Sequence, residues 1–385
     1  AAAGGLGLAV QGAVSLVNIG GALTGDALTA AADTDETVGD QLDKVDKMSD
    51  RANTDNSVTG DISTSRQGNP GTSAFIGDGA TVTAGSDITV TAADTVDVDT
   101  FIGQGAIGGI GVGGAVGFVS LGSEAQASTG ANSTISAENA FTVSADADND
   151  VDVKAIVGTA GAVGLGAQVT IINDDSEQKA LIGDNAIVTK AAAVTVKAEA
   201  DRDLNTNSTG GTIGGLAGGA AISHVTAEGG TQALVGNTVT MGDAASLTPT
   251  IGTVDITAKN DTDAKATAQA VLAGIGTGAF NDSDVVIDVD VEVGLGDSAK
   301  LNTTGAVQIT ALADGKADAE TRGINAGGVT VGFSQADATV KTDATTEIGD
   351  NATIATDDSL LVSAQSIQDA DADATGSGSS LEDIS

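Results

Sequence analysis

A short phrase recurs through this chain at a nearly fixed spacing, and that spacing limits the possible folds more than any other feature. Residues 76–84 carry IGDGATVTA, and the alternating segment DITVTA follows at residues 87–92. The marker glycine of the phrase returns at steps of 53, 53, 53, 60 and 53 residues, as Gly77, Gly130, Gly183, Gly236, Gly296 and Gly349. A fixed period near 50 residues is typical of repeat architectures, in which each unit packs against its neighbours.

Each marker glycine is followed by three apolar residues that alternate with polar ones, as in Ile88, Val90 and Ala92. Alternation of this kind predicts a strand with one buried face, and the residues between and beyond face outwards. We therefore predict an all-β fold, an elongated β-solenoid similar to a parallel β-helix. We expect 53 residues to make two or three coils, so that at about 4.8 Å per coil six repeats would give a rod roughly 60–90 Å long.

The repeat divides the chain into a remnant, an insertion and a regular region. Residues 1–18 are predicted to end a preceding repeat, and residues 19–71 to be an insertion whose stretch 36–52 has a helical period. The predicted solenoid covers residues 72–374, with repeats at 77–129, 130–182, 183–235, 236–295, 296–348 and, incomplete, 349–374. Residues 375–385 are predicted to be an acidic tail or linker. Because both ends break off within the pattern, we expect a longer parent chain.

Each repeat also contains a Gly/Ala-rich run with Gly108, Gly161 and Gly214 in equivalent positions. Glycine weakens a strand unless the backbone must pass close to another group. The run is therefore predicted to mark the place where opposite walls of a narrow solenoid, or two sheets, touch.

Composition excludes several functional classes. The formal net charge is −38, from 53 acidic and 15 basic residues, which predicts repulsion of nucleic acid and of anionic membranes. The chain has no cysteine, so it has neither thiolate zinc sites nor disulfides. No apolar run reaches the roughly 20 residues of a membrane span, and we predict no membrane insertion.

Repeated carboxylates are the main candidates for ligand binding. Two outward columns are predicted, Asp148, Asp201, Asp261 and Asp314 in one, and Asp97, Asp150, Asp203, Asp263 and Asp369 in the other. Ca²⁺ between successive carboxylates would relieve their repulsion, whereas a solvated acidic face would need no ion. The candidate calcium ligands are Asp146, Asp148, Asp150, Asp201, Asp203, Asp261 and Asp263. Apart from possible Ca²⁺, no cofactor is expected.

A catalytic constellation is not evident. The single histidine, His224, occupies the position of Phe118 and Ile171 in other repeats, which favours a packed or partly exposed strand position over a catalytic base. Paired carboxylates could cleave a polysaccharide, but the chain has no Trp or Tyr to form a sugar platform. Its basic residues are scattered, at Lys154, Lys179, Lys190, Lys197, Arg202 and Arg322. We predict that the chain is not an enzyme.

The repeated wording from IGDGATVTAGSDITVTAADTVDVD to GAIGGIGVGGAVGFV resembles the passenger repeats of giant bacterial filamentous adhesins. These are haemagglutinin-like or leukotoxin-type surface proteins exported by autotransporter or two-partner routes. The resemblance covers residues 71–374 and, more weakly, residues 1–18. It implies an extended β-helical stalk, an extracellular or cell-surface location, and a role in adhesion or matrix building.

The expected role is therefore a structural and adhesive segment of a secreted bacterial surface or filament protein. Unpaired edges at the two ends of the repeat region would be templates for another strand, so head-to-tail self-association into a fibre is predicted. A longer chain of the same repeats is the other expected partner, and no host ligand can be named from the sequence. A calcium-binding β-roll-like module is the first alternative, and a polysaccharide-acting β-helix enzyme the second.

Overall fold

The computed structural model describes residues 2–4, 7–19, 71–242 and 250–380, and these residues are all-β. All seventeen strands belong to a single sheet. The strands are β1 (Ala2–Gly4), β2 (Leu8–Ile19), β3 (Thr72–Ile76), β4 (Thr81–Ala84), β5 (Ile88–Ile107), β6 (Ile110–Leu121), β7 (Glu124–Thr129), β8 (Thr134–Ala137), β9 (Ala140–Asp175), β10 (Glu177–Ile182), β11 (Ile187–Val235), β12 (Thr240–Met241), β13 (Ile251–Leu295), β14 (Lys300–Thr303), β15 (Val307–Ile348), β16 (Thr353–Thr356) and β17 (Leu360–Ser380). The helix predicted within residues 36–52 lies outside the described residues.

The strands pair in parallel, and each residue lies beside its counterpart in the next repeat. Val143 pairs with Val90 on one side and with Val196 on the other, and Val196 pairs with Ile256 across the longer fourth repeat. One repeat therefore adds one layer to the sheet, and the prediction of two or three coils per repeat was wrong. At about 4.8 Å per strand, six repeats extend roughly 30 Å along the stacking direction. We number the layers 1 to 6 from the six marker glycines, and residues 2–4 and 7–19 form part of a preceding layer, layer 0.

Each layer folds back on itself at the Gly/Ala run. In layer 3, a forward leg (residues 193–213) and a return leg (residues 216–235) face each other. This is seen where Ser208 Oγ donates to Ile222 O at 2.7 Å. A short segment at residues 187–190 closes the wide end of the layer, where Val188 and Val194 join one apolar cluster. The layer is therefore wide near the marker glycine and narrow at the Gly/Ala turn, which we call the hairpin turn.

The burial pattern follows the predicted alternation along the forward leg. Ile88, Val90 and Ala92 are buried, whereas Thr95 and Asp97 are exposed. The wide end holds the largest core cluster, with Phe141 fully buried among Val, Ile and Ala side chains. Because every layer repeats the same parity, apolar residues stack in columns inside and polar residues stack in columns outside.

Glycines at the hairpin turn allow successive layers to approach closely. A Cβ on Gly214 would lie 2.7 Å from the carbonyl oxygen of Gly161 in the layer below, and one on Gly274 would overlap Gly214 O. At this column the close contact is between stacked layers, not between opposite walls as predicted. Elsewhere in the run the opposite leg restricts the space, because a Cβ on Gly117 would lie 2.7 Å from Ile102 Cδ1 on the forward leg.

The marker glycine begins a corner that also depends on stacking. Two positions further on, the backbone is left-handed in every layer, with φ values of 56° to 66°. The residues are Gly79, Asn132, Asn185, Thr238, Ser298 and Asn351. Gly and Asn tolerate this conformation, whereas a β-branched residue such as Thr238 does not favour it. The side chain before this position links layers, since Asp184 Oδ1 accepts from the Asn237 backbone N–H at 2.7 Å.

The two ends of the stack differ. Ile88 and Val90 in layer 1 are each 7% exposed, but the equivalent Leu360 and Val362 in layer 6 are 48% and 44% exposed. Strand β17 covers only the forward leg of layer 5 as far as residue 327, so residues 328–348 have a described partner on one side only. Residues 375–380, predicted as tail or linker, belong to β17.

We predict that Gly274→Ala destabilises the protein while Gly211→Ala does not. The new Cβ of Gly274→Ala would overlap Gly214 O and force two layers apart, at a cost of about 1–3 kcal/mol in unfolding free energy. A methyl group added at Gly211 would meet no atom within 4 Å, and Ala there should be neutral or stabilise by up to about 1 kcal/mol. Urea denaturation of both variants measures the difference, and equal midpoints would contradict this explanation of the turn.

Candidate functional site

The two acidic columns predicted on the outer face are present, and they lie side by side on the forward legs. Asp201 pairs in register with Asp148 on one side and Asp261 on the other, and Asp261 pairs with Asp314. In the neighbouring column, Asp203 lies between Asp150 and Asp263 in the same way. Carboxylates one layer apart are separated by about 4.8 Å of backbone spacing, close enough to repel one another.

This repulsion appears in the pKa values at the centre of the columns. Partial burial raises the pKa of Asp201, and the neighbouring Asp261 and Asp148 carboxylates raise it further. The pKa of Asp203 is also raised, mainly by burial, with contributions from Asp150 and Asp263. Lys259 and the Asn205 amide oppose these effects. The centre of the columns is therefore where added positive charge or protons would relieve most repulsion.

Lysines already supply positive charge within and beside the columns. Lys316 replaces aspartate in the second column and lies 2.9 Å from Asp263 Oδ2. Lys265 contacts Asp318 at 2.6 Å, and Lys259 contacts Asp261 at 3.2 Å. Most of the described basic residues are thus paired with carboxylates, often across layers.

The candidate calcium ligands are divided among three columns. Asp146 belongs to a third column beside the other two, next to Glu199 and Lys197, and its carboxylate accepts from Ser144 Oγ at 2.8 Å. Within the described part of the chain, no group of three or more His, Cys, Asp or Glu side chains is arranged to hold a metal ion. Calcium binding at these residues stays a prediction.

His224 lies on the return leg of layer 3, as the alignment with Ile171 predicted. Its side chain is 36% exposed, and Nε2 is 3.3 Å from Asp282 Oδ2 in layer 4. Burial raises the pKa of the adjacent Asp284, and the His224 charge opposes this effect. The His224 and Asp282 side chains can form an ion pair when the imidazole is protonated, and Asp284 lies beside His224 in the same column.

The core contains a buried ionic network that we did not predict. Arg202, expected to be one of several scattered basic residues, is 1% exposed. Its Nη1 and Nη2 donate to Glu228 O and Ser176 O at 2.6 Å each, and its Nε lies 3.7 Å from Asp174 Oδ2. Asn149 Nδ2 donates to the same carboxylate oxygen at 3.1 Å.

The alternation rule contained the signal for this network. Arg202 has the same parity as Val194 and Val196, so its side chain must point inwards. The network spans the forward and return legs of layers 2 and 3. Its groups face other protein groups and are closed to solvent, so it is a structural feature and not a binding site.

Comparisons with known proteins give no relative: no protein-family model, no curated protein and no solved structure matches the chain. Among the described residues there is also no helix with the length and apolar character needed to cross a membrane.

We predict that Arg202→Met destabilises the protein by about 3–5 kcal/mol, because the Asp174 carboxylate would remain buried without its cation. The double variant Arg202→Val/Asp174→Leu replaces the ion pair with the apolar residues that layer 1 has in the same columns, Val96 and Leu121. It should recover most of the unfolding free energy that Arg202→Met loses. Thermal and urea unfolding of both variants would decide, and a double variant no better than Arg202→Met would contradict the ion-pair explanation.

We predict that Asp201→Asn raises the melting temperature at pH 7. A carboxyl with a raised pKa in the folded state binds protons more readily there than in the unfolded chain. The Asp201 carboxylate therefore lowers the free energy of unfolding most at pH above its folded pKa, and this destabilisation disappears as pH falls towards the ordinary value of 3.8. The advantage of Asp201→Asn should therefore shrink as pH falls through the raised folded-state pKa and should be largely lost at the ordinary value of 3.8. Asp358→Asn is the control, because it removes one negative charge at a position whose counterpart in the preceding layer, Gly305, carries no carboxylate. An equal rise in both variants would mean that net charge alone is responsible.

Proposed function

We propose that this chain is a structural and adhesive segment of an extracellular bacterial surface or filament protein, folded as a β-solenoid. The observation that carries the proposal is the residue-for-residue stacking of successive repeats, with register shared from layer 1 to layer 6. A ladder of backbone hydrogen bonds that continues from layer to layer makes a stiff element whose length grows with the number of repeats.

The outer surface supports a structural role for the same chain. Acidic columns on the forward legs keep such elements soluble and hinder irregular sheet-to-sheet contact. None of the described layers departs from the others in the way that a catalytic layer would. The adhesive role, the secretion and the contribution to a matrix rest on the resemblance to filamentous adhesin repeats.

We further propose that the C-terminal end of the stack accepts a second copy of the chain. In layer 6 the inward side chains Leu360 and Val362 are about half exposed, although Val307 and Ile309 beneath them are buried. Residues 328–348 also offer an open edge, and the matching element is β2, which is a return leg with the same register. If β2 of one copy paired with this open edge of another, Leu8 of the first copy would lie beside Val329 of the second, because both residues occupy the column of Ile110.

The partial layers at the two ends would then complete each other. Layer 6 supplies a forward leg as far as Ser380, and layer 0 supplies the return leg from Leu8 to Ile19. Together they would fill most of one layer, but Ala2–Gly4 of the neighbour occupies the same columns as residues 377–379, so one of these two segments must be displaced. In the neighbour, layer 6 would also have to pack against the forward leg of layer 1, where Ile88 and Val90 are already buried in the single chain.

We predict that Val362→Lys abolishes end-to-end stacking. The side chain points along the interior column of Ile309, so a lysine remains solvated in the single chain but would be buried by a stacked neighbour. Leu361→Lys is the matched control, because the adjacent residue faces outwards in the column of Gln308. Electron microscopy across a concentration series should show linear particles for the wild type and Leu361→Lys and short ones for Val362→Lys. Short particles for all three would refute head-to-tail assembly.

A further inference from the structure

The narrow edge of the stack, at the hairpin turns, exposes apolar side chains in every layer from 0 to 5. Among the described residues, 16 of the 23 large apolar side chains that are exposed lie within a few residues of this turn. We call them the apolar edge, and they are Leu8, Val10, Phe101, Ile107, Ile110, Ile156, Leu165, Ile213, Leu216, Val271, Ile275, Phe280, Ile324, Val329, Val331 and Phe333. Of the remaining seven, Leu360, Leu361, Val362 and Ile367 lie on β17 at the C-terminal end of the stack, and Phe75, Ile187 and Ile348 lie elsewhere.

The apolar edge carries no charge, in contrast to the rest of this acidic chain. Residues 205–223 of layer 3 and residues 323–334 of layer 5 contain no Asp, Glu, Lys or Arg, and the same holds for residues 103–118, 155–172 and 266–281. Since equivalent residues stack in register, the columns of residues 323–334 form one continuous uncharged strip through layers 1 to 5. Phe101 lies beside this strip in the column of Lys154 and Glu320, and Ile156 lies beside it in the column of Arg322. Several side chains protrude strongly, with Ile275 77% exposed and Ile213 64% exposed.

The size of this strip exceeds what a protein leaves exposed without a partner. Sixteen half-exposed apolar side chains offer on the order of 1,000 Å², whereas the largest apolar patch of a typical monomer is about 300–600 Å². A specific interface needs about 800 Å² from each partner. Within the strip, the rings of Phe280 and Phe333 stack on each other with 5.6 Å between their centroids.

We propose that the apolar edge binds the apolar edge of a second copy of this chain, side by side. A copy with a net charge of −38 is repelled by the acidic faces, and the uncharged strip is the described surface on which that repulsion is weakest. Two copies also share one layer spacing, so side chains of one row can fit between those of the other along the whole strip. A two-fold arrangement uses the same patch on both copies and closes after two.

This lateral contact differs from end-to-end stacking and does not depend on it. The apolar edge runs parallel to the stacking direction, and the end contact lies across it. Lateral pairing therefore joins two stacks of any length, and each additional layer extends the contact.

The test is the oligomeric state of Ile213→Asp/Leu216→Asp, measured by analytical ultracentrifugation in the Val362→Lys background, where end stacking is blocked. We expect dimers in the background protein, and at least a roughly tenfold weaker dimer in the double Asp variant, because each buried carboxylate would lose its water. Ile187→Asp is the matched control, because Ile187 is 43% exposed on the short segment far from the hairpin turn, and it should dimerise normally. Circular dichroism and melting temperature would verify that each variant is folded. Raising NaCl should strengthen the dimer, because salt screens charge repulsion and leaves the apolar contact.

A second measurement uses the absence of cysteine from the natural sequence. Oxidation of Ile213→Cys should capture a covalent dimer much faster than oxidation of Ile187→Cys. Two results would overturn the proposal. One is a monomer at all concentrations in the Val362→Lys background. The other is a monomer in solution that floats with phosphatidylcholine vesicles and loses this binding in the double Asp variant, because the edge would then bind lipid.

Discussion

Parallel stacking in register is the constraint on which the rest of this structure depends. Every residue lies beside its counterpart in the neighbouring repeats, so each position in the 53-residue unit becomes a column through the sheet. A column can contain only residues that tolerate the contacts made by the layers above and below. Apolar side chains do so inside, and glycine does so where a neighbouring carbonyl leaves no room for Cβ. Asn or Gly occupies four of the six left-handed corners, and Thr238 and Ser298 occupy the other two.

Stacking in register brings like charges close together, where they repel one another. The placement of charge divides the outer surface into two parts. On the forward legs, carboxylates lie in columns, and lysines such as Lys316 and Lys265 interrupt them where a neighbouring aspartate can pair. At the hairpin turns there is no charge, and large apolar side chains are exposed. The proposed assembly uses both parts, since the acidic columns prevent irregular contact and the uncharged edge and the open end permit specific contact.

Much of the architecture was predictable, because alternation and repeat length are local properties. The inward parity of Ile88, Val90 and Ala92, the two acidic columns and the strand position of His224 were all predicted and are confirmed. The same parity would have placed Arg202 inside, but a charged side chain in the core requires a partner, and Asp174 lies 28 residues away in sequence on the opposite leg. Only the folded layer brings these two groups together.

The sequence by itself determined that this chain forms strands, that they repeat, and which side of each strand is buried, because side-chain alternation is set by backbone geometry. It left open how many layers one repeat makes, because a 53-residue unit can be divided among coils in several ways that preserve the same parity. The tertiary structure decided that each repeat forms one wide layer. That choice moved the Gly/Ala run from an interior wall to a turn, and so placed apolar residues such as Ile213 and Leu216 on an exposed edge.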